Sequence, residues 1–293
     1  MASNMQLDTE SLRTLLAVLE HGGMSKAASR LGMSQSAVSW KIKRLEEKVG
    51  RPLLIREGHS LRPTRDGHQV VEQARQIVEL HDLMIDRLSS SDLTGRVRLG
   101  ATEEVSALCI KVVLARFNRI HPETWVEFFV DRGHDLEEMV QRGDLDIAVF
   151  QAGAEVSHGD VVLAHDELVW VCAAEAQYSE GDVPLITFGR QGFYGPFARA
   201  ALDAAGIDHW TAFSGPSSAG VLAAVEAGLG VALLSRRALM GNVIEWPRSA
   251  DFAPTPDFHT VARVSPGEPS RAAAELMGDL VRELAVALED WAT

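Results

Sequence analysis

Glycines at short intervals cut the first fifty residues into three brief helices, and this punctuation limits the fold more than any other feature. Leu12, Leu15, Leu16 and Leu19 recur at i, i+3, i+4 and i+7, the apolar stripe of an amphipathic helix that stops at Gly22-Gly23. Met24 to Leu31 makes a shorter helix carrying the small residues Ala27 and Ala28, ended by Gly32. Ser34 is a suitable N-cap for a third helix running to about Val49. Its apolar stripe is Val38, Ile42, Leu45 and Val49; the opposite face carries Gln35, Ser36, Ser39, Trp40 and Lys43. Gly50 stops this helix and Pro52 prevents a restart. Two short extended pieces, 53–56 and 60–63, turn through Glu57-Gly58-His59, so the segment reads as three helices and a small β-wing.

Charge is unevenly spread. The 293 residues carry a formal net charge of −13, yet residues 1–65 hold 11 Lys and Arg against 6 Asp and Glu, net +5. Residues 91–293 hold 15 against 30, net −15. A basic head on an acidic body suggests two tasks in one chain, with the head facing a polyanion. The start MASNMQLDTE has neither a basic n-region nor an apolar h-region, and no long uncharged apolar run occurs, so neither a secretory leader nor a membrane span is expected. Two cysteines, Cys109 and Cys172, exclude a disulfide scaffold or a cysteine-rich zinc module and read as buried thiols.

After the wing, Thr64 can cap a long helix over about 65–89. Val70, Ala74, Ile77, His81, Met84 and Leu88 follow 4-3-4-3-4 spacing, a heptad seam expected to pair two chains. SSSDLTG (89–95) reads as a linker. From Arg96 strands alternate with helices: strands near 97–101, 126–130 and 145–150, with helices at about 103–120 and 134–142 between them. A second such unit has strands near 168–173, 185–188, 210–213 and 231–234 and helices near 195–205 and 217–227. A strand at 258–264 and a terminal helix at 271–291 follow. This predicts an α/β fold with a mostly parallel sheet in two lobes, and ligands at strand C-ends and helix N-ends in the crevice between them. The expected domains are 1–65, the helix and hinge 66–95, and a body 96–293, with lobe I at about 96–165 and 262–293 and lobe II at about 166–261.

Residues 22–67 closely resemble the N-terminal winged helix-turn-helix of LysR-type transcriptional regulators. The likeness rests on Ala27-Ala28, SQSAVS (34–39), IKRLEEKVG (42–50), PLLIR (52–56) and LRPTRDG (61–67). LGATEE (99–104), HP (121–122), GDLDIAVF (143–150) and EAGLGVALLS (226–235) echo the family's two-lobed effector domain, which is similar to periplasmic binding proteins. The resemblance spans essentially the whole chain. It implies operator binding as a homodimer or homotetramer, a small-molecule effector of unknown identity in the cleft, no cofactor or metal, and a cytoplasmic location.

The DNA-facing set is then Ser34, Gln35, Ser36, Ser39, Trp40, Lys43, Arg44, Arg56, His59 and Arg62, with Arg51 a further phosphate candidate. Gln35 can read adenine through two hydrogen bonds, the serines can reach bases or phosphates, and the cations suit phosphates. Trp40 departs from the polar residue that the family often has there; it can meet a thymine methyl or a sugar, or pack on the wing. Candidate effector contacts are Thr102, Glu103, Arg132, His134, Gln151, Phe193, Tyr194, Ser214, Ser217 and Ser218. Thr102 opens a helix after a strand, an anion-binding position. Glu103 and Glu104 beside it either pair with the helix dipole or select an amine or cationic effector. Arg132 could take a carboxylate or make a surface ion pair; Ser217 could bind polar groups or cap a helix. Phe193-Tyr194 replace the Ser/Thr-rich turns of relatives and suggest an aromatic wall. Lys111 and Ser235 each replace a proline common in the family.

No catalytic constellation is legible. There is no G-x-S-x-G elbow, H-E-x-x-H motif or phosphate loop, and AGLGVA (227–232) precedes a strand and so cannot be a dinucleotide fingerprint. His158 and His165 read as isolated surface residues rather than ligands. Two other readings compete with a ligand-responsive regulator: an effector-independent global or architectural DNA-binding protein, and an enzyme carrying a DNA-binding head.

Overall fold

The computed structural model describes residues 6–57, 60–89, 93–176, 178, 181–189, 192–251 and 257–291. The chain forms two compact units, Met1–Ser91 and Asp92–Thr293.

The first unit contains α1 (Thr9–Glu20), α2 (Met24–Arg30), α3 (Gln35–Val49), the antiparallel pair β1 (Leu54–Glu57) and β2 (Ser60–Pro63), and α4 (Arg65–Ser89). The predicted caps form. Ser34 Oγ accepts from Ala37 N–H at 3.2 Å, and Gly50 ends α3 at φ +74°. Asp8 caps α1 by accepting from Ser11 N–H at 2.8 Å. Glu46 ties the wing to α3, its Oε1 accepting from the N–H groups of Leu53 (2.7 Å) and Leu54 (3.1 Å). Thr64 Oγ1 accepts from Gly67 N–H at 2.9 Å and so starts α4. Gly67 is needed because a Cβ there would lie 2.0 Å from the Leu53 carbonyl oxygen.

Here the structure corrects the sequence reading. Ala74 is buried and Val70 packs partly against the core of the first unit, so the upper half of the expected pairing seam is spent within its own chain. Val71 and Val78 are buried in the same core, and α4 packs along α1, tied to it by the Arg13–Asp82 ion pair. The helix therefore belongs to the head and does not stand alone as a linker. Only its far half keeps apolar side chains in the open: Ile77, Leu80, Met84, Ile85 and Leu88, the last 78% exposed; His81 is half-buried beside Asp82.

The second unit has two lobes. Lobe I is a five-stranded sheet ordered β4-β3-β5-β12-β6, from β3 (Gly95–Ala101), β4 (Thr124–Val130), β5 (Ile147–Ala152), β6 (Val161–Asp166) and β12 (Phe258–Val264). One face is covered by a helical run of α5 (Glu103–Leu108), a π-helical stretch Cys109–Leu114 and α6 (Ala115–Ile120), and by the terminal run α10 (Arg271–Asp279), a π stretch Leu280–Leu284 and α11 (Ala285–Trp291). The two π stretches pack on each other, a local widening of the helices that their periodicity did not foretell. The other face is covered by α7 (Gly133–Arg142). Lobe II joins β7 (Leu168–Ala173), β10 (Ala232–Ser235) and β11 (Val243–Glu245) to the pair β8 (Val183–Thr187) and β9 (His209–Ser214) through the Leu185–Val231 bridge. α8 (Tyr194–Ala204) and α9 (Ser218–Glu226) flank it.

The sheets are mixed instead of mostly parallel. β3 runs parallel to β4 and β5, and β8 to β9, but β12 is antiparallel to β5 and β6, and β7 to β10 and β11. The cause is the double crossing between lobes. β3, β4 and β5 end at the cleft, so a strand returning from lobe II starts there and runs the opposite way. That strand begins at Phe258, ahead of the expected boundary at 262. The crossing is braced by Asp166, which accepts from Ser235 Oγ (2.6 Å) and pairs with the nearly buried Arg237. Ser235, read above only as a lost proline, therefore has a bonding role. Among the described residues no helix is long and apolar enough to cross a membrane.

Candidate DNA interface and ligand cleft

On α3, positions 35, 36, 39, 40 and 43 share one face because successive residues turn by about 100°. Gln35, Ser36, Ser39, Trp40, Lys43 and Arg44 are all exposed, while Val38, Ile42 and Leu45 are buried on the other side. Ser34 is exposed but is engaged as the cap, with Ser36 Oγ 3.0 Å from its hydroxyl. Trp40 is 55% exposed, and the Arg44 guanidinium lies over its ring at 5.0 Å from the centroid. That cation–π contact holds a large flat surface upright on the helix, which favours a contact outward over packing on the wing. Lys43 makes only a long pair with Glu47 (3.9 Å), and Arg56 and Arg62 are exposed on the wing strands. Arg51 is paired with Asp66 at 2.7 Å, so it is committed within the head. His59 lies outside the described residues.

Between the lobes of the second unit is a cleft of about 860 Å³, within the range of small-molecule sites. Of the ten candidates, nine line it: Thr102, Glu103, Arg132, His134, Gln151, Phe193, Tyr194, Ser217 and Ser218. Ser214 does not; it sits exposed at the end of β9.

Several liners are already bound to one another. Glu103 in lobe I reaches across to lobe II, where its carboxylate accepts from Ser217 Oγ at 3.0 Å and from Ser218 N–H at 2.7 Å. Ser217 also caps α9, with Gly220 N–H 3.4 Å from its oxygen. The N-terminus of α9, expected to receive polar groups of a ligand, is thus filled by the protein's own carboxylate. Arg132 pairs with Asp135 at 2.7 Å and His134 Nε2 lies 3.2 Å from Glu138, so both are engaged on their own helix. Arg263 on β12 also lines the cleft, held by Asp160 and by Glu137 (2.7 Å) and lying over the Phe150 ring.

Glu104 differs from these. Burial pushes its carboxyl above the ordinary carboxylate range, against the pull of its own backbone amide and nearby hydroxyls, and Glu103 adds to the rise. Its neighbours include the buried hydroxyls of Thr102 and Ser218. The aromatic wall expected at Phe193-Tyr194 is present and larger: Phe193, Tyr194 and Phe258 are in mutual ring contact, Phe188 joins them through Tyr194, and Phe197 through Phe193. The sequence did not single out Arg263, Glu137, Phe150, Phe188 or Phe197, which reach the cleft from five separate places, β12, α7, β5, the end of β8 and α8.

Burial pushes the Cys109 thiol up to about 12 and raises Cys172 as well, which leaves both poor nucleophiles. Among the described residues no group of three or more His, Cys, Asp or Glu is placed to hold a metal ion.

Comparison with known proteins agrees with this architecture. Residues 9–68 match the family model for the bacterial regulatory helix-turn-helix protein of the lysR family, and residues 90–285 that for the LysR substrate binding domain. The transcriptional regulator PecT of Dickeya dadantii is 29% identical over 233 residues, 79% of this chain and 73% of that protein. DgdR of Burkholderia cepacia is 28% identical over 238 residues, 81% of each. In fold, the chain is similar to CrgA of Neisseria meningitidis (TM-score 0.53, 21% identity, 98% and 100% of the two chains covered) and to DarR of Vibrio fischeri (0.52, 19%, 95% and 99%). With a helix-turn-helix head, a two-lobed substrate-binding body and regulators as its relatives, the chain belongs to the LysR family of bacterial transcriptional regulators and is not an enzyme.

Proposed function

We propose that this regulator reads a two-fold operator in the cytoplasm as a homodimer, or a tetramer built from such dimers, and that a small molecule in the cleft between its lobes switches it. The observation that carries the reading is one chain with both an exposed polar and basic face on α3 and a cleft of about 860 Å³ with aromatic walls. Gln35, Ser36, Ser39 and Trp40 meet base edges in a major groove, and Lys43, Arg44, Arg56 and Arg62 meet phosphates. The open apolar residues of α4, Ile77, Leu80, Met84, Ile85 and Leu88, are covered by a second copy. That DarR has been seen in complex with DNA supports the DNA assignment.

The test is fluorescence anisotropy with DNA from upstream of the protein's own gene against scrambled DNA, across a salt series. Selective binding that weakens steeply with salt is expected. A folded dimer that binds no DNA overturns the reading. A ligand that raises the thermal midpoint and changes operator affinity identifies the effector; at about 100 times its Kd it adds about 2.7 kcal/mol to the stability of the folded form.

A further inference from the structure

The cleft has an electrostatic character that its size alone does not reveal. Its two arginines are already neutralised, Arg132 by Asp135 and Arg263 by Asp160 and Glu137. The α9 N-terminus is filled by Glu103. An anionic ligand entering here would have to displace an internal carboxylate from one of these partners. Glu104, the most deeply buried acid on the cleft wall, has no cation among the groups that shift its carboxyl. Beside it are the buried hydroxyls of Thr102 and Ser218, both on residues that line the cleft; Thr102 is only 4% exposed. A carboxylate flanked by two hydroxyl oxygens and by no cation is suited to a charged donor.

We propose that the cleft selects a primary amine with an apolar or aromatic body, its ammonium seated among Glu104, Thr102 and Ser218 and its body against Phe193 and Phe197. This rests on the cleft being the ligand site. An alkylammonium has three N–H donors and no acceptor, which matches one carboxylate and two hydroxyl oxygens. The aromatic walls stack on an apolar body, and their faces attract a cation. The cost of burying Glu104 alone, which raises the pKa of its carboxyl, is offset once a positive charge lies against it.

The experiment is isothermal titration of the full-length protein with 2-phenylethylamine and, as its anionic counterpart, 3-phenylpropanoate. The amine is expected to bind and the carboxylate not. Glu104→Gln should weaken the amine roughly 10- to 100-fold, the effect of losing a charge-assisted hydrogen bond in a desolvated site. Thr102→Val keeps shape and removes a hydroxyl beside Glu104, so it should also weaken the amine. Carboxylate binding that Phe193→Ala weakens overturns the amine assignment but keeps the cleft as the ligand site. Amine binding unaffected by both Glu104→Gln and Thr102→Val overturns the assignment of these groups. If neither compound binds up to about 10 mM, the amine proposal and the reading of the cleft both fall.

Discussion

Replacing Glu103 with alanine should release the two lobes from each other. Its carboxylate makes the hydrogen bonds to Ser217 Oγ (3.0 Å) and Ser218 N–H (2.7 Å) that cross the cleft. Bonds to a charged group contribute about 1.5–3 kcal/mol each. Glu103 is partly exposed, so the low end applies, and together with the favourable end of the α9 dipole the latch is worth roughly 3 kcal/mol. That is a shift of about 150-fold in the balance between closed and open lobes. Hydrogen exchange at the Ser218 amide reads it directly, because that N–H has no other partner in the closed form. Exchange should accelerate by roughly 100-fold in Glu103→Ala and by roughly 10-fold in Glu103→Gln, which keeps one acceptor but no charge. If the Ser218 amide exchanges within about threefold of wild type in both variants, the latch does not hold the lobes and the argument fails.

Other outcomes follow from single contacts. Gly67→Ala gains about 1 kcal/mol of helix propensity but drives a Cβ to 2.0 Å from the Leu53 carbonyl oxygen, so the head should lose about 2 kcal/mol net in urea unfolding followed at Trp40. Asp166→Ala leaves Arg237, 8% exposed at its side chain, without its carboxylate at the crossing between lobes; about 3–5 kcal/mol should be lost, read as a lower denaturation midpoint of the body. Met84→Glu combined with Leu88→Glu puts charge in the open half of α4 and should shift sedimentation to the monomer, whereas Ala74→Glu should unfold the head because that position is internal. Hydrogen bonds from Ser11 and Lys48 hold the Asp8 carboxyl well below the usual range; Asp146 is also lowered, burial being outweighed by bonds from Arg98. Both folded-state values lie below the unfolded value near 4, so their stabilisation is present at neutral pH and declines as pH falls below about 4. Asp146→Asn should flatten that acid limb in a pH series of thermal midpoints.

Much of this was legible before any coordinates. The head depends on local signals: Gly22, Gly32 and Gly50 stop helices, Ser34 and Thr64 start them, and the α3 stripe of Val38, Ile42 and Leu45 sets which face is left for DNA. Those signals act over one or two helical turns, so a sequence states them directly. The cleft was legible in part, since Thr102, Phe193 and Tyr194 lie at element junctions where α/β folds place ligands.

The rest was decided by contacts between residues far apart in the chain. Heptad spacing marks one face of α4 but cannot say what covers it; packing on α1 took Ala74 into the head and left Met84 and Leu88 outside. Strand patterning shows β12 but not its direction, which follows from the chain crossing twice between lobes. The sequence contained Glu103 and Glu104 as an adjacent pair with one ambiguous meaning. The tertiary structure separated them: Glu103 is spent on α9, 114 positions from it at Ser217, while Glu104 turns to the buried hydroxyls of Thr102 and Ser218. Hydrogen bonds have a reach of about 3 Å and no memory of sequence distance, so only the folded chain assigns them.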